Sequence, residues 1–159
     1  MRFALLLIAL VVALPAAEVT AQAVPEPVSS RTEERLLDRI NRLRTEQGLS
    51  ALVPDARLAE VARDFSCRMA RDDAFGHVSP TGQTFMDRVL AAGRDYRSAA
   101  ENVAKNVNAK NPVERAVQGW MKSPGHRDNI LSREFTVTGI GVCARGAAFY
   151  FTQIFLRPQ

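Results

Sequence analysis

The spacing of apolar residues changes along this chain, and each change marks a new kind of segment. From Phe3 to Leu14 the apolar run is unbroken, follows Arg2 and is too short to span a bilayer. It reads as a secretory signal peptide, residues 1–23. Cleavage is expected after Ala21-Gln22-Ala23, with Pro15-Ala16-Ala17 as a second position. Two prolines between Val24 and Ser29 mark a flexible leader, residues 24–30, ahead of one domain at 31–159.

Helical spacing follows. Ser30-Arg31-Thr32-Glu33 has the form of a capping box, Leu36, Leu37, Ile40 and Leu43 recur on one face, and Gly48 is a natural stop. Asp55 opens a second helix to about Arg71, with Leu58, Val61, Ala62, Phe65 and Met69 as its apolar stripe. Glycines and Pro80 then break regular structure from Phe75 to Gly82, so His77 and Ser79 are displayed on a loop. A short third helix, Thr84 to Ala92, stops at Gly93 and packs through Phe85, Val89 and Leu90. Glu101 to Val107 is weakly strand-like. Asn111-Pro112 with Glu114 starts a fourth helix, lined by Val113, Ala116, Val117, Trp120 and Met121. Ser123-Pro124-Gly125 ends it, so that His126 follows a helix end.

Beyond Thr136 the period shortens to two. Thr136–Val142 and Phe149–Phe155, joined by a turn at Arg145-Gly146, predict a hairpin. Phe149, Phe151 and Phe155 take one face and Tyr150, Ile154 and Leu156 the other, so both faces need cover. Helices must supply it. The expectation is an α+β sandwich with a small antiparallel sheet in the middle, with Trp120, Phe149 and Tyr150 filling core.

Charge changes this picture little. The net charge is +4 and the pI about 9.6, but arginines are spread across helices that also carry acids and are not interleaved with aromatics, which argues against a single-strand nucleic-acid groove. Attraction to anionic envelope polymers is compatible with the balance, and so is simple solubility. No cysteine near the cleavage point could accept a lipid, and no later segment is apolar enough to cross a membrane. A soluble monomer, secreted or periplasmic, is expected. Cys67 lies opposite its helix's stripe and Cys143 alternates away from Ile140 and Val142. In an oxidising compartment that shared displacement favours a bridge tying helix to strand, over two buried thiols.

The chemistry gathers around the two histidines. His77 stands in Gly76-His77-Val78-Ser79-Pro80, His126 in Ser123-Pro124-Gly125-His126-Arg127-Asp128-Asn129-Ile130-Leu131, and Glu101-Asn102-Val103-Ala104 lies between. Imidazole both binds metal and moves protons near neutral pH, so His77, Glu101 and His126 are candidates for zinc or another divalent cation, with water completing the shell. The rival is a metal-free hydrogen-bonded network of the same three side chains. Ser79 precedes Pro80 in a turn and is expected to bond its own backbone; no serine-hydrolase elbow occurs. Asn102 and Asn129 can hold loops, and Arg127 can position an anion or stay solvated.

Several motifs occur together and in order: His77-Val78-Ser79-Pro80, Asp87-Arg88-Val89, Glu101-Asn102-Val103-Ala104, Trp120-Met121, Ser123-Pro124-Gly125-His126-Arg127, Asn129-Ile130-Leu131 and Thr138-Gly139-Ile140-Gly141-Val142. This set closely resembles the bacterial SCP-like branch of the CAP superfamily, which takes in cysteine-rich secretory proteins, antigen 5 and plant pathogenesis-related proteins. The resemblance implies a three-layer α-β-α sandwich, an extracellular or envelope location, and a cleft lined by two histidines and two acids. His77, Glu101 and His126 match three of those four. Ser123 stands where eukaryotic relatives carry the other glutamate, three residues after the tryptophan matched by Trp120. Phe65 stands where many bacterial relatives have a histidine, just before the serine matched by Ser66. With Ser79, Asn102 and Ser123 these residues form the candidate cleft. The reading preferred is a binder, and not an enzyme, for a divalent cation and a small lipid-like or envelope-derived ligand, with no organic cofactor. A peptidase- or esterase-type hydrolase, using Ser79 or a metal-bound water activated by His77 or His126, is the alternative. A secreted scaffold, with Arg94 to Ala100 as its contact loop, is the third.

Overall fold

The computed structural model describes residues 23–28, 30–93 and 95–159, so most of the signal segment lies outside the described residues. Helices α1 (Ser30–Glu46), α2 (Ala56–Asp72), α3 (Phe85–Ala91), α4 (Pro112–Lys122) and α5 (Pro124–Leu131) enclose strands β1 (Glu26–Pro27), β2 (Val53–Pro54), β3 (Tyr96–Val107), β4 (Val137–Arg145) and β5 (Ala148–Pro158). The sheet order is β1-β4-β5-β3, antiparallel throughout, and the two-residue β2 adds a parallel pairing to β4. Alternation along β5 decides the layers. Phe151 and Phe155 meet α1, α4 and α5 through Leu36, Ile40, Trp120 and Ile130. Tyr150, Ile154 and Leu156 face α2, whose Leu58, Ala62, Phe65 and Met69 form the opposite layer. The result is an α-β-α sandwich with β5 at its centre.

Helix α2 lies unusually close to β4. A Cβ on Gly141 would strike the backbone of Ala62 and Arg63, and one on Gly139 would strike Leu58 and Ala59. Ser66 Oγ donates to Gly141 O at 2.9 Å in the same contact, and beside it Cys67 and Cys143 form the disulfide, with Cα atoms 4.9 Å apart. The bridge joins helix to strand. The cysteines lie off their elements' apolar stripes because they occupy the seam between α2 and β4.

Several boundaries differ from expectation. Asp55 caps α2, accepting from Leu58 N, whereas α1 already includes Ser30 as its first residue and Glu33 lies within it. The buried Glu33 carboxylate takes Arg63 at 3.0 and 2.7 Å and Val142 N at 3.2 Å, linking α1 to α2 and β4. Glu26 and Pro27, placed in the leader, pair with Ala144 and Cys143. β3 begins at Tyr96, so the described part of the expected contact loop is largely strand. Its first half lacks apolar alternation because an edge strand takes its register from its neighbour, here β5 from Pro158 back to Ala148. Leu90, assigned to packing, is 61% exposed while Val89 is buried, because α3 is short and only one side of it meets the core.

Gly141→Ala should lower the unfolding free energy by about 3 kcal/mol, since neither backbone can yield without disturbing the disulfide seam. Urea denaturation of the oxidised protein reads this directly, and an unchanged midpoint would mean that α2 is free to move away.

Candidate functional site

Each histidine owes its position to a different element. His77 sits in the loop between α2 and α3, and Arg88 of α3 holds that loop by donating to His77 O at 3.2 and 3.3 Å and to Gln83 O at 3.3 Å. His126 lies in the first turn of α5, a helix not foreseen from the sequence. Ser123 ends α4 and stands at the N-cap of α5, and Pro124 occupies a first-turn position where its missing N–H is harmless. A Ser-Pro-Gly stop is therefore also a start. The imidazole rings stand 6.3 Å apart, centroid to centroid, tilted by 35°.

Glu101 of β3 connects the pieces. Its side chain is 1% exposed; Oε2 takes Arg88 Nη2 at 2.7 Å and Oε1 lies 3.0 Å from His77 Nδ1. The carboxylate accepts from Arg88 and faces His77 Nδ1, which orients the ring with Nε2 on its far side. Half of the His77 side chain is exposed. Arg88 is buried, its guanidinium 3.4 Å from the Phe65 ring centroid, and its Nε has no hydrogen-bond partner among the described residues. The departure at Phe65 thus has a physical role: an aromatic face supports the cation that clamps Glu101. Arg88 was absent from the sequence-derived site. Only its place in the Asp87-Arg88-Val89 motif pointed to it, because an arginine on a short helix usually reads as solvated.

Asn102, fully buried, donates to His126 O at 3.0 Å and accepts from Asn129 Nδ2 at 2.9 Å, fastening α5 to β3. Ser79 is not displayed. It is 5% exposed, and its hydroxyl accepts from Gln83 N at 3.0 Å and bonds Thr81 Oγ1 at 2.9 Å, stapling its own turn. Ser123 and His126 line one groove with Phe75, Ala104 and Trp120, while Arg127 is exposed beside it. Burial holds the pKa of His126 below its ordinary 6.5, and repulsion from His77 lowers it further.

The donor set does not fit a zinc site made of His77, Glu101 and His126. Both Glu101 oxygens are engaged, and Ser123 supplies no acid in the remaining position. Two imidazoles on one tetrahedral zinc place their centroids about 5 Å apart, which is closer than these rings stand. Among the described residues no three His, Cys, Asp or Glu side chains gather as metal ligands.

The CAP family model, that of the cysteine-rich secretory protein family, matches residues 37–155. The chain belongs to this family. YkwD of Bacillus subtilis (strain 168) is 37% identical over 137 residues, covering 86% of this chain and 51% of its own length. An extracellular protein with an SCP domain from Bacillus anthracis str. Ames aligns with TM-score 0.72 at 33% identity, over 80% of this chain and 41% of that one. An outer surface protein of Borrelia burgdorferi has TM-score 0.75 at 19% identity, covering 84% of this chain and 98% of its own, and so shares the fold. The chain spans about half the length of YkwD and less of the B. anthracis protein. In this CAP domain the cleft histidines are set by an Arg-Glu pair and an asparagine ladder.

Glu101→Gln should cost about 3 kcal/mol by leaving Arg88 buried without its counter-charge, and adding Arg88→Met should recover part of the loss. Denaturation of both variants tests the pairing; a double variant less stable than Glu101→Gln alone would refute it. A pH series tests His126. Because its folded pKa lies below 6.5, the unfolded chain takes up a proton first, and stability falls as pH drops below about 6.5. His126→Asn should flatten that acid limb of Tm between pH 7 and 5, and parallel curves would remove burial as the cause.

Proposed function

We propose that this CAP domain is an exported binding module that takes a small amphiphilic, envelope-derived molecule in the groove where His126 lies. The observation that carries the reading is the groove itself, about 310 Å³, between β3, α4 and the first turn of α5. Phe75, Ala104 and Trp120 offer an apolar lining, and Ser123 and His126 place polar groups beside it. His77, oriented by Glu101, adds a further polar ring close by. An apolar body with a polar head matches this division.

Binding is favoured over hydrolysis because the Ser79 hydroxyl, the nucleophile nearest His77 in the sequence, is committed to its own turn. Export is supported by the signal-like amino terminus, by the disulfide, and by the extracellular description of the B. anthracis relative. No helix among the described residues is long and apolar enough to cross a membrane.

Gly119 lines the groove from α4, and a Cβ there would meet nothing within 4 Å, so Gly119→Phe starts a side chain into that space, with an unchanged Tm as the check on its fold. Titration with a fluorescent dodecanoyl probe, alongside mass spectrometry of molecules retained from envelope extracts, should show at least tenfold weaker binding in Gly119→Phe and about tenfold weaker in His126→Ala. Equal affinity in all three proteins would reject the reading. Release of product from the probe ester, lost in His77→Ala, would replace it with the hydrolase.

A further inference from the structure

β3 ends the sheet order β1-β4-β5-β3, and no strand among the described residues pairs with its outer side. We propose that this edge docks an extended polypeptide segment as an added strand. In an antiparallel ladder, successive residues turn their N–H and C=O groups alternately toward the partner strand and away from it. Asn108 N donates to Ala147 O at 3.0 Å, and the register from there sets the even-numbered residues of β3 toward β5. The odd-numbered ones face outward. Val103 agrees, because its carbonyl oxygen accepts Trp120 Nε1 at 2.9 Å from α4. Lys105 and Val107 follow, and among the described residues no hydrogen bond reaches the main-chain groups that they turn outward. Their donors and acceptors stand in a row, repeating at about 7 Å along the strand.

An exposed edge is ordinarily blunted by a proline, a bulge or a lysine thrown across it. Here the register with β5 is unbroken from Ser98 to Val107, and no proline interrupts it. Lys105 does not guard the edge either. Its ammonium is drawn to Asp73 at 2.7 Å and stands 5.0 Å from the Tyr150 ring centroid, on the face that α2 covers. A hollow of about 660 Å³ opens beside residues 105–111, bounded by Glu114, Arg115 and Gln118 of α4. The edge is straight, open and bordered by a trough.

A regular row of main-chain donors and acceptors selects a polypeptide, since a lipid, a sugar or a polyphosphate has no matching ladder to return. Alternation then decides which sequence fits. Val107 is 55% exposed and shares the α2 face with Lys105, so an apolar side chain set opposite it covers apolar surface. The ligand residues on either side of that position turn into the hollow. There Glu114 is taken by Arg39 at 3.2 Å, while Lys110 and Arg115 have no ion-pair partner among the described residues. Acids fit these places, and the ligand is an extended segment that alternates apolar and acidic residues. The His126 groove reaches along β3 only as far as Asn106, so the docking edge does not depend on what that groove holds.

The probe is a short, capped, fluorescently labelled peptide of alternating valine and glutamate, with a valine-lysine peptide of equal length as comparison. N-methylation of every second residue removes main-chain donors from one side of the peptide and leaves its side chains and charge unchanged. Of the two possible methylated sets, one should bind like the parent and the other about tenfold more weakly, and the valine-lysine peptide should also lose about tenfold. Val107→Pro removes an outward N–H that β5 does not use, so Tm should hold while peptide binding falls about tenfold and the dodecanoyl probe is unaffected. The methylated pair decides the matter on the wild-type protein even if that variant folds poorly. Equal binding of both methylated peptides, or of the valine-lysine peptide and the parent, would overturn the proposal. So would a dimer in sedimentation that Val107→Pro abolishes, which would give the edge to a second copy of this chain.

Discussion

The approach of α2 to β4 is the contact on which the rest of this structure depends. Gly139 and Gly141 leave no side chain between helix and strand, Ser66 bonds the strand's carbonyl oxygen, and Cys67–Cys143 locks the register. Close packing here sets the depth of one whole layer, because Phe65 and Met69 reach Tyr150 from the same helix. It also sets the height of the site. Phe65 lies beneath Arg88, so the position of α2 fixes the cation that clamps Glu101 and the His77 loop.

That clamp exchanges stability for order. Removing an arginine and a glutamate from water costs several kcal/mol, which their attraction offsets only when the geometry is good and the other oxygens are bonded. Here the second Glu101 oxygen meets His77, and two Arg88 nitrogens reach carbonyls of the loop. A buried pair of this kind orients an imidazole on an otherwise exposed loop. On the other side Asn102 and Asn129 do the same for His126 without charge. The cleft is therefore a pair of imidazoles held by separate supports, and Glu101 is the group that orients His77.

Much of this frame was legible in the residues. The Asp55 cap and the stripe from Leu58 to Met69 described α2 closely, and alternation from Phe149 to Leu156 separated the two faces of β5. The cysteines' displacement from their stripes pointed to the seam they share. Other features were not legible, each for a physical reason. Helix α5 is too short to develop an apolar stripe, and only Ile130 of it is buried. β3 extends back to Tyr96 through residues whose strand geometry comes from pairing to β5. Glu33 looked like a cap but turned inward to Arg63, because a charged partner on another helix binds it more strongly than a local backbone donor.

Local pattern and covalent order by themselves determined the layers, the hairpin, the family and the identity of the two histidines, since each is encoded by residues near one another in the chain. Tertiary structure alone decided which charges became internal. Arg88, Glu101 and Phe65 are distant in sequence, and nothing local distinguishes them from a solvated arginine, a strand-end acid and a core aromatic. Burial does so, because an ion removed from water must find its partner within a few ångströms, and that distance exists only once the chain has folded.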